Sequence, residues 1–226
     1  WDGEFEHEVL TVKPGPGSAY QDAAFVHKPS RTLLVCDAVF AATSEPPPIL
    51  TSEPEYTRAL LCHARDAPLE LVADTPAARS KGWRRIVLLQ NFFVPGSAVA
   101  DLGLGPVLAA ARSPSYELGW GGWLPIAWRS PKAEAASFDA FSANGKPTLL
   151  PIIQIILSRG NSGEATQRWV DKVTSWDFER VVPAHLDAPL AIGPKQFAEP
   201  FAFIRNGRNE VRFCDEDVKL LRDLGN

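Results

Sequence analysis

The sequence predicts an α/β fold, and three observations carry that prediction. Short apolar runs with strand character crowd the first forty residues. Segments with helical spacing of apolar residues fill much of the rest. Two separated segments, Val26–Phe40 (VHKPSRTLLVCDAVF) and Trp176–Leu190 (WDFERVVPAHLDAPL), each hold an apolar run that delivers one polar residue, Asp37 in the first and His185 in the second. A strand that ends on a lone Asp or His is how metallo-hydrolase folds bring ligands to the rim of a sheet.

The elements follow in order. Glu6–Lys13 alternates apolar and polar residues and reads as a strand, closed by the turn cluster Pro14-Gly-Pro-Gly17. Tyr20–His27 reads as a second strand and Lys28-Pro-Ser30 as a tight turn. Thr32–Cys36 reads as a third strand, apolar throughout and therefore central. Ser44–Ser52 is a Pro-rich loop. Glu55–Ala64 reads as a helix, with Pro54 just before it, where a missing N–H costs little. Gly82–Phe93 reads as a helix with a basic face at Arg84 and Arg85. Leu149–Ser158 is a buried element of either type. Glu164–Thr174 reads as a helix and Phe178–Pro183 as a short strand leading to His185. Lys195–Ile204 reads as a helix interrupted near Pro200. Asp215–Leu224 reads as a terminal helix with Asp215 as its N-cap.

Composition narrows the function. The 226 residues suit one large domain, with 45% hydrophobic and 22% charged residues, as in ordinary globular chains. A net charge of -4 and the lack of a basic run argue against a nucleic-acid partner, which needs a basic surface. No stretch approaches the ~20 apolar residues of a membrane span, so no transmembrane segment is expected, although peripheral membrane association stays open. Cys36, Cys62 and Cys214 lack metal-finger spacing and read as reduced thiols, with Cys36 a buried small residue. The chain starts at Trp1 and contains no Met. The expectation is a removed targeting segment or an upstream part outside this sequence.

A two-metal hydrolase site needs about five or six His and Asp ligands. The chain has four His (His7, His27, His63 and His185), none at i, i+2 or i, i+4 spacing, and neither HxHxDH nor HExxH. Asp37 reads either as a metal-bridging carboxylate or as a strand-end Asp that caps its own turn. His185 reads either as a metal ligand or as a loop histidine paired with Asp37 or Asp187. His27 belongs to a hairpin turn. There is no GxSxG elbow for a serine nucleophile and no phosphate-binding glycine motif.

Residues 94–147 change character. They mix glycines with Trp120, Trp123 and Trp128 and show weak periodicity, which reads as an ordered but irregular excursion. Trp, Tyr and Arg are enriched at interface hot spots, so Tyr116, Trp120, Trp123, Trp128 and Arg129 are candidate contacts to a protein partner.

Phe25–Val39 and Trp176–Phe203, with Gly82–Leu89 and Trp169–Val173, resemble domain-of-unknown-function family 4336 of cyanobacteria, algae and plant plastids. The resemblance runs nearly end to end and is poorest across the excursion. It implies a divergent metallo-β-lactamase-like αβ/βα sandwich, of which residues 1–226 would be one domain lacking its N-terminal half. By this likeness Asp37 matches the bridging Asp and His185 the last His ligand. The His that should precede that Asp by about twenty residues falls on Lys13–Gly17, which has none. The HxHxDH motif would lie upstream.

The resulting expectation is a non-catalytic interaction or structural protein of the chloroplast, built on a degenerate metallo-hydrolase fold and peripheral to a larger assembly. It would have no cofactor, with zinc only if the upstream half supplies ligands. The alternative is a metal-dependent hydrolase completed by that upstream half.

Overall fold

A computed structural model describes residues 3–67, 70–100, 127–160, 162–205 and 213–224. The chain is mixed α/β and divides into two compact units. The first spans Trp1–Ala42, Ser142–Arg212 and Leu224–Asn226; the second spans Thr43–Phe141 and Phe213–Asp223.

The first unit is built on one sheet. Strands β1 (Phe5–Val12), β2 (Tyr20–His27) and β3 (Thr32–Val35) form consecutive antiparallel pairs, and β6 (Arg180–Pro183) adds to β3 in parallel. The sheet order β1-β2-β3-β6 makes β3 internal, as its unbroken apolar run predicts. The β2–β3 turn closes with Arg31 at φ 50°, its N–H donating to the Lys28 carbonyl at 3.1 Å. Arg31 then forks to Asp177 and Glu179, both at 2.8 Å, and pins the turn beside the start of β6.

Side chains alternate across the sheet. Leu10, Val12, Ala24, Val26, Leu33, Val35 and Val181 all point to one buried face. The element of open type is the helix α5 (Pro151–Leu157), and with α6 (Ser162–Thr174) it supplies the residues that cover that face. Helix α6 presents Trp169, Val170 and Val173 at helical spacing, and the Trp169 indole N–H donates to the Glu8 carbonyl at 3.3 Å. Rings of Trp169, Phe178, Phe197 and Phe201 close the core with centroids 5.7–6.0 Å apart. Burying each such large apolar side chain contributes about 1.5–3 kcal/mol. The stretch read as one helix over Lys195–Ile204 is interrupted near Pro200 as expected, into α7 (Pro194–Ala198), a 3-10 turn at Glu199–Phe201 and α8 (Ala202–Arg205).

The second unit is helical. It holds α1 (Ile49–Ser52), α2 (Pro54–His63), α3 (Pro76–Phe92), most of α4 (Pro131–Ser142) and α9 (Asp215–Leu224), with a short pair β4 (Val99–Ala100) and β5 (Ala127–Trp128). Helix α3 begins six residues before Gly82. Thr75 caps it by accepting the Ala78 N–H at 3.2 Å, and Pro76 takes the first turn.

Arg85 is a correction: it is 1% exposed and lies on no solvated basic face. Its guanidinium donates to Glu134 at 2.8 Å, Asp66 at 2.7 Å and the His63 and Arg65 carbonyls, and it sits 4.7 Å from the Trp128 ring centroid. A buried cation persists only when paired in this way. Asp215 is the first helical residue of α9 and not its cap, and it accepts from Arg222 at 3.0 Å. Within residues 94–147, Pro131–Ser142 is helical and residues 101–126 lie outside the described residues. Among the described residues no helix is long and apolar enough to cross a membrane.

Candidate functional site

Strand register brings the two singled-out polar residues together. Ala24 pairs with Val35 across the antiparallel β2–β3 ladder, and Val35 pairs with Pro183 across the parallel β3–β6 ladder. Two residues further along, Asp22, Asp37 and His185 therefore fall in one row across three neighbouring strands. This row lies beyond the C-terminal ends of β3 and β6, where open α/β sheets place their sites.

The row is held by its own hydrogen bonds. His185 Nε2 lies 3.1 Å from Asp37 Oδ1, with side chains 59% and 33% exposed. Asp22 is 5% exposed. Its Oδ1 accepts the Ala23 N–H at 2.7 Å, and its Oδ2 accepts the Asp37 N–H and the Tyr20 hydroxyl, both at 3.1 Å. Burial pushes the Asp22 carboxyl up, against the lowering effect of those three donors. Burial likewise raises the Tyr20 phenol, helped by the Asp22 charge. Cys36 is exposed and not buried, another correction, because the alternation that buries Leu33 and Val35 turns position 36 to the opposite face. Partial burial, then the Asp37 and Asp22 charges, raise its thiol.

The loop after His185 is tied to the row from behind. Leu186 has φ 66°, a left-handed backbone that costs a non-glycine residue energy. The Asp187 N–H donates to the Ala41 carbonyl at 3.1 Å, the Ala188–Pro189 bond is cis, and Leu190 pairs with Val181 through both backbone bonds.

The donor set does not fit a zinc site. Asp37 and His185 offer two ligating side chains, and Asp22 already commits both oxygens. Among the described residues no group of three or more His, Cys, Asp or Glu could hold a metal ion. The other histidines lie elsewhere: His7 stacks on Phe25, His27 Nδ1 sits 2.6 Å from the Ser30 hydroxyl in the hairpin turn, and His63 belongs to the helical unit. Asp22 was not singled out by sequence, yet it carried a signal. An Asp in phase with Ala24 and Val26 on an alternating strand must point inward.

Of the candidate partner contacts, Tyr116, Trp120 and Trp123 lie outside the described residues. Trp128 faces the Arg85 guanidinium, and Arg129 Nε donates to the Gly96 carbonyl at 3.3 Å and the Val99 carbonyl at 2.9 Å.

The family model described as Domain of unknown function (DUF4336) matches residues 1–203. No curated protein and no solved structure matches the chain.

Proposed function

The chain belongs to the DUF4336 family, and from that premise we propose that it is a non-catalytic interaction or structural protein on a degenerate metallo-β-lactamase-like fold, a plastid protein peripheral to a larger assembly. One observation carries the reading: the strand-end row satisfies itself. Asp37 and His185 pair with each other at 3.1 Å, and the neighbouring Asp22 is consumed by Ala23, Asp37 and Tyr20. A hydrolytic centre needs convergent ligands with an open position for water. Here the polar groups brace the sheet ends and the loop after β6. Zinc titration of residues 1–226 tests this. The expected result is no stoichiometric zinc at sub-micromolar affinity; one equivalent bound that tightly would overturn the reading.

A second reading draws on the same register. Asp37 and His185 stand side by side at the ends of parallel strands, where ligands supplied from upstream could join them. On that reading the full-length precursor carries metal by elemental analysis, and His185→Ala loses both the metal and hydrolysis.

A further inference from the structure

A cavity of about 460 Å³ lies wholly within the helical unit, at the α1–α2 junction. That volume is in the range of small-molecule sites. Pro54, Thr57, Arg58 and Leu61 line it from α2, and their spacing of three, four and seven residues puts them on one face. Thr51, Ser52 and Glu53 line it from the junction, and Asp74 and Arg79 from the start of α3.

These polar groups divide by what they have left to offer. Asp74 and Arg79 are spent on each other through a fork of two bonds, at 2.5 and 2.7 Å. The Thr51 and Ser52 hydroxyls donate to the Pro48 and Ile49 carbonyls at 3.0 and 2.9 Å, so they keep only acceptor lone pairs. The Glu53 carboxylate and the Arg58 guanidinium each have no side-chain partner among the described residues. Thr57 is the telling member. It is only 9% exposed, yet its hydroxyl makes no hydrogen bond among the described residues. A helical Thr can satisfy its hydroxyl on the carbonyl four residues before, as Thr166 does to Ser162 at 2.8 Å and Thr174 to Val170 at 2.7 Å. Thr57 leaves its hydroxyl unspent in the cavity that it lines, and a nearly buried hydroxyl without a partner costs stability. Acceptors in want of donors thus stand at the junction. Donors in want of acceptors stand one turn further along α2.

We infer that this cavity binds a small zwitterion, a free aliphatic α-amino acid. The ligand carboxylate takes the Arg58 guanidinium and the Thr57 hydroxyl. The ligand ammonium takes the Glu53 carboxylate and the Thr51 and Ser52 oxygens. An anion alone would face Glu53 as a like charge, and a cation alone would face Arg58. Pro54 and Leu61 supply apolar surface for the aliphatic side chain. The inference is independent of the strand-end row and of the reading placed on it.

Calorimetric titration of the 226-residue chain with L-leucine tests it. The expected result is saturable binding of one equivalent at about millimolar affinity or tighter. N-acetyl-L-leucine, which lacks the ammonium, and L-leucinamide, which lacks the carboxylate, should each bind about tenfold or more weaker. Arg58→Ala and Glu53→Gln should cause losses of the same order, and both positions are exposed, so circular dichroism should show the fold kept. Thr57→Val should weaken binding yet leave the thermal midpoint unchanged or higher, because it removes a hydroxyl that the free protein leaves unsatisfied. Arg168→Glu, in the sheet unit, should change nothing. No saturation by about 10 mM L-leucine overturns the inference. So does N-acetyl-L-leucine or L-leucinamide binding as well as L-leucine, or binding that survives Arg58→Ala and Glu53→Gln.

Discussion

Asp22 is the residue on which the strand-end row turns. Its carboxylate accepts three donors, so Asp22→Ala should strand the Tyr20 hydroxyl and two backbone N–H groups. The expected cost is about 1–3 kcal/mol by urea denaturation. Asp22→Asn separates charge from hydrogen bonding. An unfolded Asp titrates near pH ~3.9, and burial raises Asp22 in the fold. Between those two values the native state holds a proton that the unfolded chain has released, so stability falls as pH rises through that window. The Asp22 contribution is complete below the unfolded value and gone above the folded one. Urea midpoints measured upward from about pH 4 should therefore show wild type losing ground to Asp22→Asn; a constant gap would refute the assignment. His185→Ala should cost little, ~1 kcal/mol or less, since its pair with Asp37 is largely solvated. Asp37 and His185 were legible in sequence because each ends an apolar run. Their pairing was legible only as one alternative, because choosing Asp37 over Asp187 as the partner of His185 depends on a ladder joining segments about 150 residues apart.

At the scale of elements, Gly82 shows what periodicity hides. It lies inside α3, where alanine would add about 1 kcal/mol of helix propensity. A Cβ there would stand 1.8 Å from the Leu60 carbonyl oxygen of α2. Backbone cannot swing aside as a flexible side chain can, so the overlap wins. Gly82→Ala should lower stability by about 1–3 kcal/mol or more, read as a drop in thermal midpoint, and a rise would show that the two helices separate freely. The hairpin strands and both amphipathic helices α2 and α6 were legible from their periods of two and 3.6. The first turns of α3 were not, because Pro76–Lys81 has no apolar stripe and its start is marked only by Thr75 and Pro76. Arg85 was misplaced for a related reason. A cation on a helix reads as solvated until its distant partners, Glu134 and Asp66, are brought to it.

Across the whole molecule the chain visits its two units alternately. It leaves the sheet unit after Ala42, returns at Ser142, and contributes Phe213–Asp223 to the helical unit at the end. That last segment is therefore integral to the helical unit. Asp217, fully buried, accepts the Ser97 N–H at 2.8 Å, the Ser97 hydroxyl at 2.6 Å and the Ser137 hydroxyl at 2.6 Å. Phe213 packs edge-on against Phe92 with centroids 5.7 Å apart. One carboxylate thus joins the loop after α3, helix α4 and helix α9, which lie far apart in sequence. No local pattern around DEDVKLL announces this, since an Asp in the first turn of a helix reads as a solvated dipole partner. Asp217→Ala leaves three donors without their acceptor, at about 1–3 kcal/mol for each buried one. Opening of the helical unit should become easier while the sheet core, which shares none of these bonds, keeps its protection. Hydrogen exchange reads this directly: amides of α3 and α4 should exchange faster in the variant, and those of β2 and β3 should not change. Equal acceleration in β2 and β3 would mean that the two units open as one.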